Sequence, residues 1–541
     1  MAKAKTNTTR KDGENPANPS NEEDRGLLSG NSSDEDEDLV VHPGRNSNSS
    51  PEAEPRTPRT PNRVRFDLPP ALDTDLHSNG APPPYNESPL SGRRDARPQA
   101  FVPLLTDIEA PSVTLAASPW GDDDDVHEWA ERERQRPKSG LRSAFMNMAN
   151  SIIGAGIIGQ PYAFKQAGLL TGVILLIGLT ITVDWTIRLI VINSKLSGSN
   201  SFQGTVEHCF GKTGLIAISV AQWAFAFGGM VAFGIIVGDS IPHVLAAVFP
   251  GLEDVPVLGL LTNRRAVIVI FILGISYPLS LYRDIAKLAK ASTLALISMV
   301  VILFTVVTQG FMVPKESRGT FSTPLLTINS GAFQAIGVIS FAFVCHHNSL
   351  LIYGSLKTPT IDRFARVTHY STSISMIACL AMALAGFLTF GSLTQGNVLN
   401  NFPRDNIMVN IARLCFGLNM LTTLPLEAFV CREVMFNYWF PGEPFNMNLH
   451  LMFTSSLVVS AMTLSLITCD LGAVFELIGA TSACALAYIL PPLCYLKLST
   501  RSWKTIPAVA CVAFGGAVMC ISLVQAVMKI IRNEGGVAQC Q

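Results

Sequence analysis

Asn147-Met-Ala-Asn-Ser-Ile-Ile-Gly-Ala-Gly-Ile-Ile-Gly-Gln-Pro-Tyr-Ala-Phe164 belongs to an apolar stretch long enough to cross a bilayer, yet Gly154, Gly156, Gly159 and Pro161 interrupt its middle. A helix broken there frees backbone N–H and C=O groups that lipid cannot satisfy, so the break must be packed in protein or face a solvated cavity. Such a cavity is a place to bind something. Discontinuous helices of secondary transporters turn half-helix N-termini toward a carboxylate and freed carbonyls toward ammonium groups or ions. A small zwitterion is therefore the expected ligand.

Outward from this stretch, the chain divides into unlike parts. It is 48% apolar with a formal net charge of -1 over 541 residues, which suits a membrane protein with a polar appendage. Residues 1–140 are rich in Pro, Ser, Asn, Asp, Glu and Arg and have few apolar runs, so they cannot bury enough surface to offset chain entropy. A disordered cytosolic regulatory tail is expected there. The polar start lacks an apolar h-region, so no secretory signal peptide is expected. Residues 141–530 are apolar blocks separated by short polar loops, each block near the roughly 20 residues that span the hydrocarbon core. A short C-terminal tail, 531–541, follows.

The fold class expected is all-α: a polytopic membrane protein with eleven transmembrane helices. The spans fall near 141–166, 169–195, 213–241, 265–282, 291–312, 328–350, 367–390, 407–427, 449–468, 474–497 and 506–530, the fourth being short. All eleven cysteines lie between Cys209 and Cys540 with no Cys-x-x-Cys pair, and read as small apolar packing residues with few or no disulfides.

Basic residues orient the spans. With the tail in the cytosol, the loops on its side hold twelve Lys and Arg, against six on the other side (Lys165, Arg264, Arg265, Lys315, Arg318 and Arg404). The cluster Arg132, Arg134, Arg136, Lys138 and Arg142 adds to the cytosolic side. The Asn-x-Ser/Thr sequons at Asn7, Asn31, Asn48 and Asn86 all lie in the tail, where a cytosolic location leaves them unmodified.

Five spans after the first comes Gly331-Ala-Phe-Gln-Ala-Ile-Gly337-Val-Ile-Ser340-Phe-Ala-Phe-Val-Cys-His346-His347-Asn348, which also mixes small and polar residues into an apolar span. Two readings stand: a second break, making a 5+5 inverted repeat with broken first and sixth helices, or glycines that merely permit close helix packing.

The run Ser143 to Phe164, the block Phe341-Ala-Phe-Val-Cys345-His346-His347-Asn348 and Leu421-Thr-Thr423-Leu-Pro425-Leu together resemble the amino acid/auxin permease family. Within it the likeness runs to the solute carrier 38 branch and to fungal vacuolar amino acid transporters. The resemblance covers nearly all of 141–530 and none of the tail. It implies the inverted-repeat fold of amino acid transporters, with substrate held between the broken first and sixth helices. Ser151, Ile152, Gly154, Ala155 and Gly156 sit where relatives bind the α-carboxylate and α-amino groups through main-chain atoms. Small residues would suit that role, because a Cβ would keep ligand and backbone apart. Phe341 and its neighbours would close the pocket from the sixth span. Asn150 and Thr423 match the positions that help to hold the ion in sodium-coupled relatives, whereas fungal vacuolar relatives are generally proton-driven. The sequence departs from sodium-coupled members at Gln160-Pro161.

Ionisable groups within spans are costly in lipid unless paired or facing water. Asp184 and Arg188, spaced i, i+4, suggest a structural pair. Asp239, Arg413, Glu427 and Glu476 lack such an assignment. Glu427 either carries a coupled proton or sits at the cytosolic interface near Arg432. His346 and His347 suit proton relay or metal binding by residue type, but neighbours on a helix point about 100° apart. Capping or packing at the end of the sixth span fits them better.

In the tail, Glu23-Asp-Arg-Gly-Leu27-Leu28 fits an acidic dileucine motif read by sorting adaptors, and Pro82-Pro83-Pro84-Tyr85 fits the ligand of WW domains such as those of membrane-protein ubiquitin ligases. Thr57-Pro58, Thr60-Pro61 and Ser88-Pro89 fit proline-directed phosphorylation, and a solvated linker is the plain alternative for all of these motifs. No motif of a metalloprotease, serine hydrolase or phosphate-binding loop is present, so no enzyme is expected. The dispersed basic residues give no nucleic-acid surface.

Together these readings predict a secondary active transporter of neutral amino acids, working by alternating access with H⁺ or Na⁺ as coupling ion and no cofactor. A vacuolar or lysosomal membrane is expected, with the plasma membrane as alternative. A non-transporting amino acid receptor is the rival from another class.

Overall fold

Segments that must satisfy every backbone group without water fold as α-helices, and the described residues contain no β-strand. The computed structural model describes residues 140–282, 291–321, 328–440, 443 and 445–531. The expected disordered tail with its sorting, WW-domain, phosphorylation and glycosylation motifs, and the short C-terminal tail beyond Ile531, lie outside the described residues.

The chain runs α1 (Leu141–Ile153), α2 (Gln160–Ala167), α3 (Leu169–Ser197), α4 (Phe202–Val248), α5 (Arg264–Phe271), α6 (Tyr277–Ser280), α7 (Ala291–Met312), α8 (Ala332–Phe343), α9 (Ser349–Ser355), α10 (Ile361–Phe390), α11 (Ile407–Trp439), α12 (Met447–Ile467), α13 (Leu471–Ile478), α14 (Leu490–Leu498) and α15 (Ile506–Ile531). Among the described residues, nine helical stretches are long and apolar enough to cross a membrane. Two further passages fall short of that length: α1–α2 is interrupted by Gly154 and a 3₁₀ turn over Ala155–Gly159, and α5–α6, with a π turn over Ile272–Ser276, runs only from Arg264 to Ser280. Large apolar side chains stand on the outer faces, with Ile181 65%, Phe304 61% and Val524 62% exposed. Side chains of this kind suit lipid better than water.

Two helices run well beyond their sequence-predicted bounds. Helix α4 starts at Phe202 instead of near 213, capped by Ser201, whose Oγ accepts from the Gly204 N–H at 3.0 Å, and it bends at Gly211 (φ 64°). Polar residues such as Gln203 and Glu207 masked this first portion. Helix α11 continues past 427 to Trp439. Its charge at Arg432 does not end it, because the guanidinium donates to Ser280 O at 2.9 Å and Thr454 Oγ1 at 2.7 Å.

The centre is packed backbone against backbone. An added Cβ on Gly479, in the π turn after α13, would lie 1.8 Å from Gly337 O of α8, and one on Gly337 would lie 2.7 Å from Glu476 O. At Gly331 a Cβ would meet Gln166 O at 2.8 Å. These α8 glycines thus serve close packing, and the interruption of the span comes further along. Nine of the described cysteines are free, most of them buried among apolar residues, while Cys469 is disulfide-bonded; the expectation of few disulfides stands, and that of none does not.

Gly479→Ala is expected to destabilise the fold by about 1–3 kcal/mol or more, the usual cost of overpacking. The melting temperature of purified protein in detergent checks this against Gly516→Ala, whose added Cβ would meet nothing within 4 Å.

Candidate functional site

Helix α1 ends at Ile153, and Gly154 leaves helical geometry at φ 0°, ψ −151° while its N–H still reaches Asn150 O at 3.2 Å. After the 3₁₀ turn, α2 begins with Pro161 in its first turn, where the missing N–H has no helical partner to lose. Gln160 Nε2 donates to Gly156 O at 3.1 Å, so a side chain answers a carbonyl beside the break.

A second interruption faces the first. Helix α8 ends at Phe343, Val344 leaves it with ψ 101°, and a 3₁₀ turn over His346–Asn348 leads into α9. The two broken passages touch: a Cβ on Gly156 would come within 2.4 Å of Ala342 Cα, and Asn348 Nδ2 donates to Ser151 Oγ at 3.4 Å.

Between them lies a cavity of about 180 Å³. This is below the ~300–1,000 Å³ of sites for drug-sized ligands and suits a solute the size of one amino acid. Every residue that the resemblance assigned to substrate or ion lines it: Asn150, Ser151, Ile152, Gly154, Ala155 and Gly156 from the first break, Phe341 from α8 and Thr423 from α11. Helix α4 adds Phe225, Gly229 and Phe233, and α11 adds Asn419 and Glu427. One part of the sequence argument changes. At Gly156 the neighbour that excludes a side chain is Ala342, and at Gly154 nothing lies nearer than 3.8 Å to an added Cβ. Smallness at 156 serves the contact between the two breaks.

Aromatic rings close one side. Phe341 stacks on Phe475 at 4.6 Å between centroids and meets Phe225 at 5.5 Å, which in turn lies 5.7 Å from the His347 ring. Thr423 donates its hydroxyl proton to Asn419 O at 2.8 Å, which leaves its oxygen lone pairs for a cation. The adjacent histidines diverge: His346 Nε2 is 2.9 Å from Thr186 Oγ1 on α3, whereas His347 lines the cavity.

The remaining buried charges now have places. Asp184 and Arg188 pair at 2.8 Å, with His369 Nδ1 2.9 Å from the other carboxylate oxygen. Asp239 joins Arg264 at 3.1 Å and accepts from Asn400 Nδ2 at 3.0 Å. Arg413 donates to the carbonyls of Leu399 at 2.8 Å and Phe402 at 2.9 Å, pinning the preceding loop to α11. Glu476 accepts from Tyr162 at 2.9 Å and Gln166 at 3.4 Å, tying α2 to α13. Sequence reasoning missed that tie; its only trace was a carboxylate in an apolar span, 314 residues from its partner.

Gly156→Val is expected to lower the melting temperature, since its Cβ would lie 2.4 Å from Ala342 Cα, and the protein that reaches the membrane is expected to take up no labelled amino acid above background, because the branched side chain forces the two breaks apart. Uptake at wild-type rate would remove the site from this position.

Comparison with known proteins agrees in kind. The family model described as transmembrane amino acid transporter protein matches residues 137–531. Vacuolar amino acid transporter 2 of Saccharomyces cerevisiae is 45% identical over 417 residues, covering 75% of this chain and 86% of its own. The Rattus norvegicus protein provisionally named sodium-coupled neutral amino acid transporter 11 is 39% identical over 401 residues, covering 72% of this chain and 85% of its own. Its Danio rerio namesake is 40% identical over 365 residues, covering 68% and 80%. A crystal structure of a mutant Eremococcus coleocola manganese transporter is similar with a TM-score of 0.48 at 11% identity, covering 74% of this chain and 90% of that one, a likeness too slight to carry an argument. The relatives are transporters by name and not enzymes, and the family match takes in both broken passages and every described helix: the chain belongs to the transmembrane amino acid transporter proteins.

Proposed function

We propose that this protein is a secondary active transporter that moves neutral amino acids across a vacuolar or lysosomal membrane by alternating access, driven by protons. The observation that carries the reading is the pair of chain breaks meeting across one cavity, a geometry that offers main-chain atoms to both ends of a zwitterion. The nine membrane-length helices, with the interrupted passages 141–167 and 264–280, make eleven spans, and the breaks in the first and sixth fit two inverted halves of five. Alternating access then consists of these halves rocking about the cavity.

The basic loops orient the tail to the cytosol. The disulfide at Cys469 supports this, since it follows α12 on the face away from the tail, and disulfides persist in oxidising compartments. The name of the yeast relative supports the vacuolar membrane. Asn150, Ser151 and Ile152 at the end of α1 and Gly154, Ala155 and Gly156 in the break line the cavity, while Tyr162 and Lys165 beyond it are tied to Glu476 and to Thr394 O. This arrangement fits a state closed toward the lumen. Sodium coupling is the second reading, favoured by Asn150, Asn419 and Thr423 among the residues that line the cavity and by the names of the animal relatives. In the tail, Glu23–Leu28 and Pro82–Tyr85 are the proposed contacts for a sorting adaptor and a WW-domain ligase.

Purified protein in liposomes is expected to accumulate a labelled neutral amino acid under an imposed proton gradient. Binding without accumulation under either a proton or a sodium gradient would make the protein a receptor. Thr423→Ala is expected to leave proton-driven uptake within about tenfold of wild type, since one hydrogen bond is worth about 0.5–1.5 kcal/mol; abolition of a sodium-dependent component would favour the second reading.

A further inference from the structure

We infer that Glu427 takes up and releases the proton that drives transport, an assignment that rests on the proton-coupled reading above. Glu427 lies one helical turn beyond Thr423 on α11 and lines the cavity. Its carboxylate has no hydrogen-bond or ion-pair partner among the described residues. This sets it apart from Asp184, Asp239 and Glu476, each of which is held by named donors. A bare carboxylate in the membrane interior is costly and marks a path for ions or protons when it faces water.

Among the described residues the surroundings offer no fixed countercharge. Opposite Glu427, α4 presents Gly229, where an added Cβ would lie 3.6 Å from Glu427 Cγ, and residues 223–238 of α4 carry no titratable group. Residues 143–159 of the first break and 295–312 of α7 carry none either. From the second break, His347 lines the cavity, its Nδ1 without a partner. On α11 itself, Cys431 is one turn further, with its thiol toward Trp223 O at 3.6 Å, and Glu433 accepts from Asn437. Arg432, the nearest cation in sequence, is turned away to Ser280 and Thr454. On the elements behind α11, His450 faces Leu281 O and Tyr277 faces Ser455.

The proton step is simple to balance. Water on the acidic side gives a proton to the Glu427 carboxylate, making a neutral carboxyl, and the same proton passes to water on the other side after the cavity reopens there. Direction follows from charge. In this assignment the substrate carboxylate, and not its ammonium, lies on the Glu427 side of the cavity of about 180 Å³, where it and a Glu427 anion repel each other. Substrate therefore binds the protonated form more tightly, and by linkage raises its affinity for the proton. Proton and amino acid travel together, one of each per cycle.

Proteoliposomes holding the full chain test this with a labelled neutral amino acid, read in two ways: accumulation under an inward proton gradient, and exchange against unlabelled amino acid with no gradient. Glu427→Gln, which mimics the protonated state, is expected to lower the accumulation ratio about 10-fold or more while exchange continues at a reduced rate. Glu427→Asp is expected to keep gradient-driven accumulation. Undiminished accumulation by Glu427→Gln overturns the proposal. So does loss of exchange in both variants, which would make Glu427 part of the substrate's own binding surface, or a Gln variant that only switches preference from cationic to neutral amino acids. Wild-type protein that exchanges but ignores proton gradients overturns this inference and leaves the transport reading standing; wild-type protein that does not exchange removes both.

Discussion

Lipid offers no hydrogen bonds, and that single constraint organises this molecule. Wherever the chain stops being helical at membrane depth, something in the protein has to meet the freed polar groups. At the first break Gln160 meets Gly156 O with its own side chain, and Pro161 stands where a missing N–H is harmless. At the second, Ser349 Oγ donates to Cys345 O, and the Asn348 side chain reaches across to that of Ser151. The breaks are supported by one another, and the space between them is what remains for a solute.

Much of this was legible because glycine and proline in an apolar run are hard to explain otherwise. The stretch Asn150 to Gly156 announced an unwound passage, and the residues drawn from it, with Phe341 and Thr423, surround one cavity. What stayed hidden was anything that depends on a distant partner. The sequence assigned the smallness of Gly156 to a ligand, whereas Ala342, nearly two hundred positions on, is what crowds it. Helix lengths were misjudged for the same reason. Arg432 looked like the end of a span, since its two acceptors lie on other elements.

The ionisable residues show where local reading runs out. Asp184 and Arg188 could be paired from spacing alone, because i, i+4 neighbours share a helix face. Asp239, Arg413 and Glu476 could not, as their partners are Arg264, loop carbonyls and Tyr162. Once these are accounted for, the buried charges of the spans separate, among the described residues, into those held by named partners and Glu427, which has none.

The link between Tyr162 and Glu476 has a further consequence. It fastens α2 to α13 by a hydrogen bond to a carboxylate, worth about 1.5–3 kcal/mol, joined by Gln166 on the same carboxylate and by Lys165, which donates to Thr394 O and lies over the Tyr162 ring. Inverting a two-state population from 1:99 to 99:1 takes about 5.5 kcal/mol of differential affinity. A tie built from a few such bonds is of the same order as the differential affinity a small bound solute can supply, so ligand and latch can compete on equal terms.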